Sequence, residues 1–274
     1  MRFSKKFENI VKKNNSLLCV GLDIDKEKMP NFLFTTSKTP YLDFNKSIID
    51  STKDLVCAYK LNMAFYEYFG RDGFDLLEKT INYIPKDIVI ILDGKRNDIG
   101  NTAKKYAQSL YETLKADAVT VNPYLGIDGV KPFLEFKEKY CFILCRTSNS
   151  SAKDFQDIKA MDISLYEKVA YKIKEWNSIG NCGAVVGATY PKELKLIRSI
   201  LGDDTYLLIP GIGTQGGDVK KTIKFGTNSR GNNAIINSSR GIIYSGKDDK
   251  YSEKIRKSAE EIRNLINKHR KEKL

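Results

Sequence analysis

The amino-acid sequence predicts an α/β protein, a (β/α)8 TIM barrel formed as a single domain over residues 1–274. Three observations predict it. Short apolar, β-branched runs recur eight times along the chain. Charged segments with helical periodicity separate them, and the turn after the first run, LDIDKEKMP, lacks the glycine fingerprint of a doubly wound dinucleotide fold.

The runs are 17–22 (LLCVGL), 55–61 (LVCAYKL), 88–92 (IVIIL), 118–121 (AVTV), 141–145 (CFILC), 183–188 (GAVVGA), 206–209 (YLLI) and 234–236 (AII). Each is too short for a typical helix and almost continuously apolar, as strands buried on both faces of a parallel sheet are. Helices are expected over 43–54, 73–83, 100–115, 127–139, 161–178, 191–201, 217–225 and 251–269. The start of the chain reads as an amphipathic surface helix with Phe3, Phe7, Ile10 and Val11 on its apolar side. Two segments exceed ordinary loop lengths: 24–42, with two prolines, and 226–233, GTNSRGNN. Both are expected to be mobile covers of an active site.

Composition bounds the partner. Lys and Arg number 46 against 34 Asp and Glu, a net charge of +12. That excess points to an anion: nucleic acid, an anionic membrane surface, or a small phosphorylated substrate. A lysine-rich solvated surface gives the same total. The basic residues are dispersed, clustering only at 268–273, so no nucleic-acid partner is expected. No apolar run approaches the ~18 to 20 residues that span a bilayer. The first residues lack a signal peptide's apolar core, so no membrane partner is expected and the cytoplasm is the expected compartment. A hydrophobic fraction of 41% excludes a disordered chain.

Cys19, Cys57, Cys141, Cys145 and Cys182 sit among apolar, strand-like neighbours and read as buried thiols, not as disulfides or zinc ligands. The sole histidine, His269, lies in the basic tail KHRKEK. Histidine triads, histidine metal sites and histidine general bases therefore lack material, and no metal site is expected. The chemistry falls to Lys, Asp, Ser or Arg.

In such a barrel the C-terminal strand ends carry the chemistry, because the loops that follow converge on one mouth. Those ends supply Asp23, Lys60 with Asn62, Asp93 with Lys95 and Asp98, Asn122, Ser148, Pro210 with Gly211 and Gln215, and Arg240. Lys60 stands inside the apolar run AYKLNMAF, where a charge is costly unless paired or led to the rim. The third run ends in ILDGKRND, so the period of two puts Asp93 and Lys95 on one side of an extended backbone, with Asp98 across the turn. Lys60, Asp93, Lys95 and Asp98 sum to zero charge and keep one another ionised. Such a group suits stabilising a carbanion and returning a proton from an ammonium. Farther along, PGIGTQGGD (210–218) and NSSRG (237–241) follow the last two strands. Glycine-freed backbone N–H groups, the helix beginning near Gly217 and Arg240 form a phosphate cradle there.

With these motifs the chain resembles the orotidine 5'-phosphate decarboxylase family over nearly its full length. The residues that carry the resemblance are Lys60 in AYKLN, DGKRND, Thr102 in the following helix, VNPYLG, TSN at 147–149, PGIGTQGGD and NSSRG. The resemblance implies decarboxylation of orotidine 5'-phosphate to UMP without metal or organic cofactor, through a carbanion at pyrimidine C6. Lys95 would stabilise and protonate that carbon, and Asp93 would crowd the substrate carboxylate. Lys60 and Asp23 would contact the ribose hydroxyls. Ser148 would bind the pyrimidine, with Gln215, Arg240 and nearby backbone amides on the phosphate, and Pro210, Gly211 and Asn122 would also line the substrate site. The resemblance further implies a homodimer in which Asp98 and Thr102 reach the neighbouring subunit's pocket. Many relatives have Gly before the phosphate arginine, where this chain has Ser239. The nearest rival, a sugar-phosphate decarboxylase or aldolase of the same barrel group, carries an acidic metal ligand at the end of strand two. Lys60 occupies that place and would repel a metal.

Overall fold

Residues 1–212 and 218–273 are described by the computed structural model. Within them eight parallel strands close into a barrel: β1 (Leu18–Gly21), β2 (Ala58–Asn62), β3 (Val89–Arg96), β4 (Ala118–Val121), β5 (Tyr140–Arg146), β6 (Cys182–Val186), β7 (Leu207–Pro210) and β8 (Ala234–Ser238). Each strand pairs with its sequence neighbours, and β8 closes on β1 through Leu18↔Ile236 and Val20↔Ser238. Strands β1, β4, β6 and β8 are buried along their whole length, as their apolar runs require.

The strand bounds differ from expectation where polar residues extend a run or a turn shortens it. β2 begins at Ala58, because a turn over 53–55 ends the preceding helix and leads into it. β3 runs on to Arg96 and carries Asp93 and Lys95 within it. Several helices also shift. Pro40 starts the helix expected at 43 (Pro40–Thr52), its fixed φ and missing N–H suiting the first helical turn. The segment expected as helix over 161–178 opens as a small antiparallel hairpin, Lys159–Ala160 with Ile163–Ser164. A Ser164–Glu167 capping box then starts helix Leu165–Trp176.

The N-terminal helix Phe3–Asn14 closes the N-terminal end of the barrel. Phe3 stacks on Tyr140 at 4.5 Å and meets Tyr206 edge-on at 5.4 Å, covering the starts of β5 and β7. All five cysteines are buried and free. No helix among the described residues is long and apolar enough to cross a membrane.

The expectation for 226–233 is corrected by the fold. This segment precedes β8 and so lies at the end of the barrel opposite the strand C-termini. It is pinned there: Arg270 donates to the Gly231 carbonyl at 2.9 Å and to Asn232 Oδ1 at 2.7 Å, and Arg198 donates to the Asn233 carbonyl at 2.9 Å. Asn228 is buried and its Oδ1 accepts from the backbone N–H of Asn232 at 2.8 Å. Polar composition made it resemble a cover, but its polar groups bond the loop's own backbone, Asp203 and Arg270 at this end of the barrel. Segment 24–42 does lie on the mouth side. It contains a short helix, Leu33–Thr36, and buries Ile24, Met29 and Leu33.

Candidate active site

A cavity of about 400 Å3 opens among the C-terminal strand ends. Its floor is an ionic array built from three adjacent strands. Register places Gly21 beside Lys60 and Asn62 beside Asp93. Lys60 Nζ lies 3.0 Å from Asp93 Oδ2 and 3.8 Å from Asp23 Oδ1. Lys95 Nζ lies 2.7 Å from Asp93 Oδ1, the oxygen that also accepts a 2.8 Å hydrogen bond from Thr120 Oγ1. Burial alone would push the Lys60 ammonium down, but the charges of Asp23 and Asp93 outweigh it and hold it above its ordinary value. Burial would likewise raise Asp93. The charges of Lys60 and Lys95, with hydrogen bonds from Lys95 and Thr120, instead hold it well below the usual carboxylate range.

Lys95 meets Asp93 for a reason other than simple alternation. The register of β3 against β4 shifts between Leu92 and Arg96, and Lys95 takes a left-handed φ of 45°. A lysine pays no small conformational penalty there, so the bulge must be held from outside. Thr120 Oγ1 accepts the Lys95 backbone N–H at 3.0 Å, and the Arg96 carbonyl accepts the Asn122 N–H at 3.0 Å. Lys95 therefore stands at the mouth with its side chain about half exposed, while Lys60 is buried.

Within one chain the neutral quartet is Asp23, Lys60, Asp93 and Lys95. Asp98 is not its fourth member: it lies outside the cavity lining, and its Oδ1 accepts the N–H of Ile99 at 2.9 Å. The chain turns away after Arg96 into helix Gly100–Gln108, on which Thr102 is exposed. Asn122 also stays out of the cavity, because its Oδ1 closes a turn on the Tyr124 N–H at 3.0 Å. Ser148, Pro210, Gly211 and Arg240 do line it. Gln215 lies outside the described residues.

The far wall joins the ends of β7 and β8. Gly211 has φ +104°, a conformation that favours glycine, and Asn237 pairs in register with Pro210. Arg240 is exposed and pairs with no carboxylate among the described residues, leaving its guanidinium for an anionic ligand. The room for Ser239 comes from β1: a Cβ on Gly21 would fall 1.8 Å from Ser239 Oγ. The side wall is the Thr147–Asn149 turn after β5, which Gly187 admits, since a Cβ there would lie 2.9 Å from that of Ser148.

Sequence reasoning missed Thr120, Asn237, Thr147 and Asn149 as cavity residues. Thr120 and Asn237 were visible as the only polar members of AVTV and of the run AIIN. The side chains of Asp23 and Asn237 each leave an Oδ1 buried without a hydrogen-bond partner, so the pocket presents two acceptors ready for ligand donors. Among the described residues no three His, Cys, Asp or Glu side chains group as metal ligands. The array can place an ammonium beside a reacting carbon and a carboxylate beside a departing anion, with an anion grip at the opposite wall.

Comparison with known proteins agrees with this layout. The model of the family "Orotidine 5'-phosphate decarboxylase / HUMPS" matches residues 16–255. The orotidine 5'-phosphate decarboxylase of Cellvibrio japonicus is 47% identical over 273 residues, spanning 97% of this chain and 98% of the relative. Among solved structures, Leishmania donovani OMP decarboxylase superposes with a TM-score of 0.86 at 35% identity, covering 98% of this chain and 99% of that one. Leishmania donovani UMP synthase gives 0.88 at 36% identity, covering 98% of this chain but 57% of that longer chain.

Proposed function

This chain belongs to the orotidine 5'-phosphate decarboxylase / HUMPS family, and on that premise we propose that it is a carboxy-lyase converting orotidine 5'-phosphate to UMP and CO2 in pyrimidine biosynthesis. The observation that carries the reading is the buried Asp93 held between Lys60 and Lys95. The reaction breaks the bond from C6 to the carboxylate, CO2 departs, and the electron pair stays on C6. A proton from the Lys95 ammonium then forms the C6–H bond, and the resulting amine regains a proton from water. No metal or organic cofactor enters these steps.

The preorganised charges account for the direction of the chemistry. An ammonium fixed beside C6 favours the carbanion without reorganising during the reaction. Asp93, kept ionised by its two lysines, crowds the substrate carboxylate, a repulsion that ends when CO2 leaves. Lys60 and Asp23 take the ribose hydroxyls, Ser148 takes the pyrimidine, and Arg240 takes the phosphate with Gln215 and the backbone at Pro210 and Gly211. Asp98 and Thr102, both outside their own cavity, are the residues by which a homodimer would complete the neighbour's site. The whole chain acts as one barrel domain, working in the cytoplasm.

The metal-dependent enediolate chemistry of sugar-phosphate relatives is disfavoured by Lys60, a buried cation where such enzymes need an acidic ligand. The test is direct. Orotidine 5'-phosphate added to the protein should lose its orotate chromophore at the same rate with and without EDTA. An unchanged chromophore, or loss of activity in EDTA, would contradict the proposal.

A further inference from the structure

Arg146, the last residue of β5, is buried, yet it lines neither the cavity nor the surface. A buried guanidinium costs desolvation unless it is paired, so its placement needs a reason. Its Nη2 pairs with Asp157 at 3.2 Å, and its guanidinium carbon lies 4.0 Å from the centre of the Tyr190 ring. Its Nη1 donates to Gln156 Oε1 at 3.2 Å.

That last bond sets the polarity of a chain of hydrogen bonds. Arginine can only donate, so the Gln156 amide must turn its oxygen toward Arg146. The same Oε1 also accepts the Thr147 backbone N–H at 2.9 Å, and Gln156 Nε2 is left to donate to Thr147 Oγ1 at 2.8 Å. Thr147 Oγ1 must then pass its own hydrogen on, to Asn149 Oδ1 at 2.7 Å. Tyr190, on which Arg146 stacks, donates its hydroxyl to the Asn149 carbonyl at 3.3 Å. Both residues flanking Ser148 are thereby fixed, and Gly187 sits against the Ser148 backbone from behind. The Ser148 hydroxyl itself has no partner among the described residues and faces the cavity.

We propose that Arg146 is a positioning residue for the base of the bound nucleotide: through Gln156 and Tyr190 it fixes the Thr147–Asn149 turn, and with it the Ser148 hydroxyl. The inference rests on the functional reading above, in which Ser148 meets the pyrimidine. It separates two parts of the ligand, because among the described residues no side-chain hydrogen bond of this network reaches Gly211, Asn237 or Arg240 of the phosphate wall; the one link is backbone, the Ala188 N–H on the Pro210 carbonyl at 2.9 Å.

The experiment compares UMP with ribose 5-phosphate, which lacks the base, by calorimetric titration of the wild type and of Arg146→Met, Ser148→Ala and the double variant. Arg146→Met should weaken UMP about tenfold, the effect of losing one well-placed polar contact, while ribose 5-phosphate changes less than about twofold. The double variant should bind UMP no worse than the weaker single variant. Equal losses for both ligands, fully additive losses, or wild-type affinity in Arg146→Met would each overturn the inference. If Arg146→Met does not fold, Gln156→Leu leaves the Asp157 pair and the Tyr190 stack in place and carries the same expectation. A wild type that ignores UMP would instead overturn the functional reading, before any substitution is made. In that event hydrogen exchange at the Thr147 amide, faster in ligand-free Arg146→Met if the clamp exists and unchanged if it does not, still decides the network.

Discussion

Lys95 reaches the carboxylate of Asp93, two residues before it on the same strand, at 2.7 Å while its own backbone sits at a left-handed φ of 45°. Thr120 supports both ends of that contact, donating to Asp93 and accepting from the Lys95 N–H. Thr120→Val keeps the β-branched shape and removes the hydroxyl. It should lower kcat for orotidine 5'-phosphate about tenfold with little change in KM, because it loosens a positioned acid and leaves the phosphate grip intact. Steady-state kinetics check this, and a change confined to KM would contradict it.

The ionic floor has a pH signature. Asp93 is held below its unfolded value, so its contribution to stability is present above about pH 4 and is lost as pH falls toward the folded value. Lys60 is held above its unfolded value, so its contribution is present below about pH 10 and fades as pH rises past it. Asp93→Asn should cost about 3 kcal/mol at neutral pH, since it strips a buried lysine of its nearer partner. In urea unfolding the gap between wild type and Asp93→Asn should narrow as pH drops below about 4. A gap that stays constant through acid would contradict the assignment.

At the opposite end of the barrel Arg198 is buried and, among the described residues, donates only to backbone carbonyls, including those of Gly226 at 2.6 Å, Thr205 at 2.6 Å and Asn233 at 2.9 Å. Burial pushes its pKa down to about 10, so it remains charged at neutral pH. Arg198→Met should destabilise the fold by about 3 kcal/mol by orphaning these carbonyls. The KM for orotidine 5'-phosphate should stay within about twofold, because this end binds no substrate. Thermal unfolding and kinetics on the same preparation check it; a raised KM with unchanged stability would return 226–233 to the active site.

How much of this was legible in the sequence depended on the kind of residue. Lys60 stood out because a charge within AYKLN demands a partner, and the partner followed in the next apolar run. The meeting of Asp93 and Lys95 was legible, but its cause was not: a bulge depends on the neighbouring strand, and the period of two describes one strand alone. Thr120 was hidden because threonine is an ordinary strand residue, and its hydroxyl has no function until β3 lies beside it. Asn122 was misread in the other direction, a strand-end polar residue whose side chain serves its own turn. For 226–233, loop composition suggested a cover although chain order already placed it before a strand, at the far end from the mouth. Asp98 was expected in the quartet on spacing alone. Asp23, two residues beyond the first strand, holds that place within the chain.

If Asp98 completes a neighbouring subunit's site, mixing a Lys95→Ala chain with an Asp98→Ala chain puts both defects in one pocket of the mixed dimer and leaves the other pocket whole. Two inactive preparations should then regain up to about a quarter of wild-type activity on random exchange, the share expected for one intact pocket in half of the dimers. No recovery after subunit exchange has been demonstrated would contradict a shared site.

Single-turnover decarboxylation of orotidine 5'-phosphate by Lys95→Ala asks whether Lys95 stabilises and protonates the carbanion. The chemical rate should fall by at least about a thousandfold, as for loss of a positioned acid and its charge, with UMP still bound. A Lys95→Ala protein that consumes the orotate chromophore within about tenfold of the wild-type rate would contradict it.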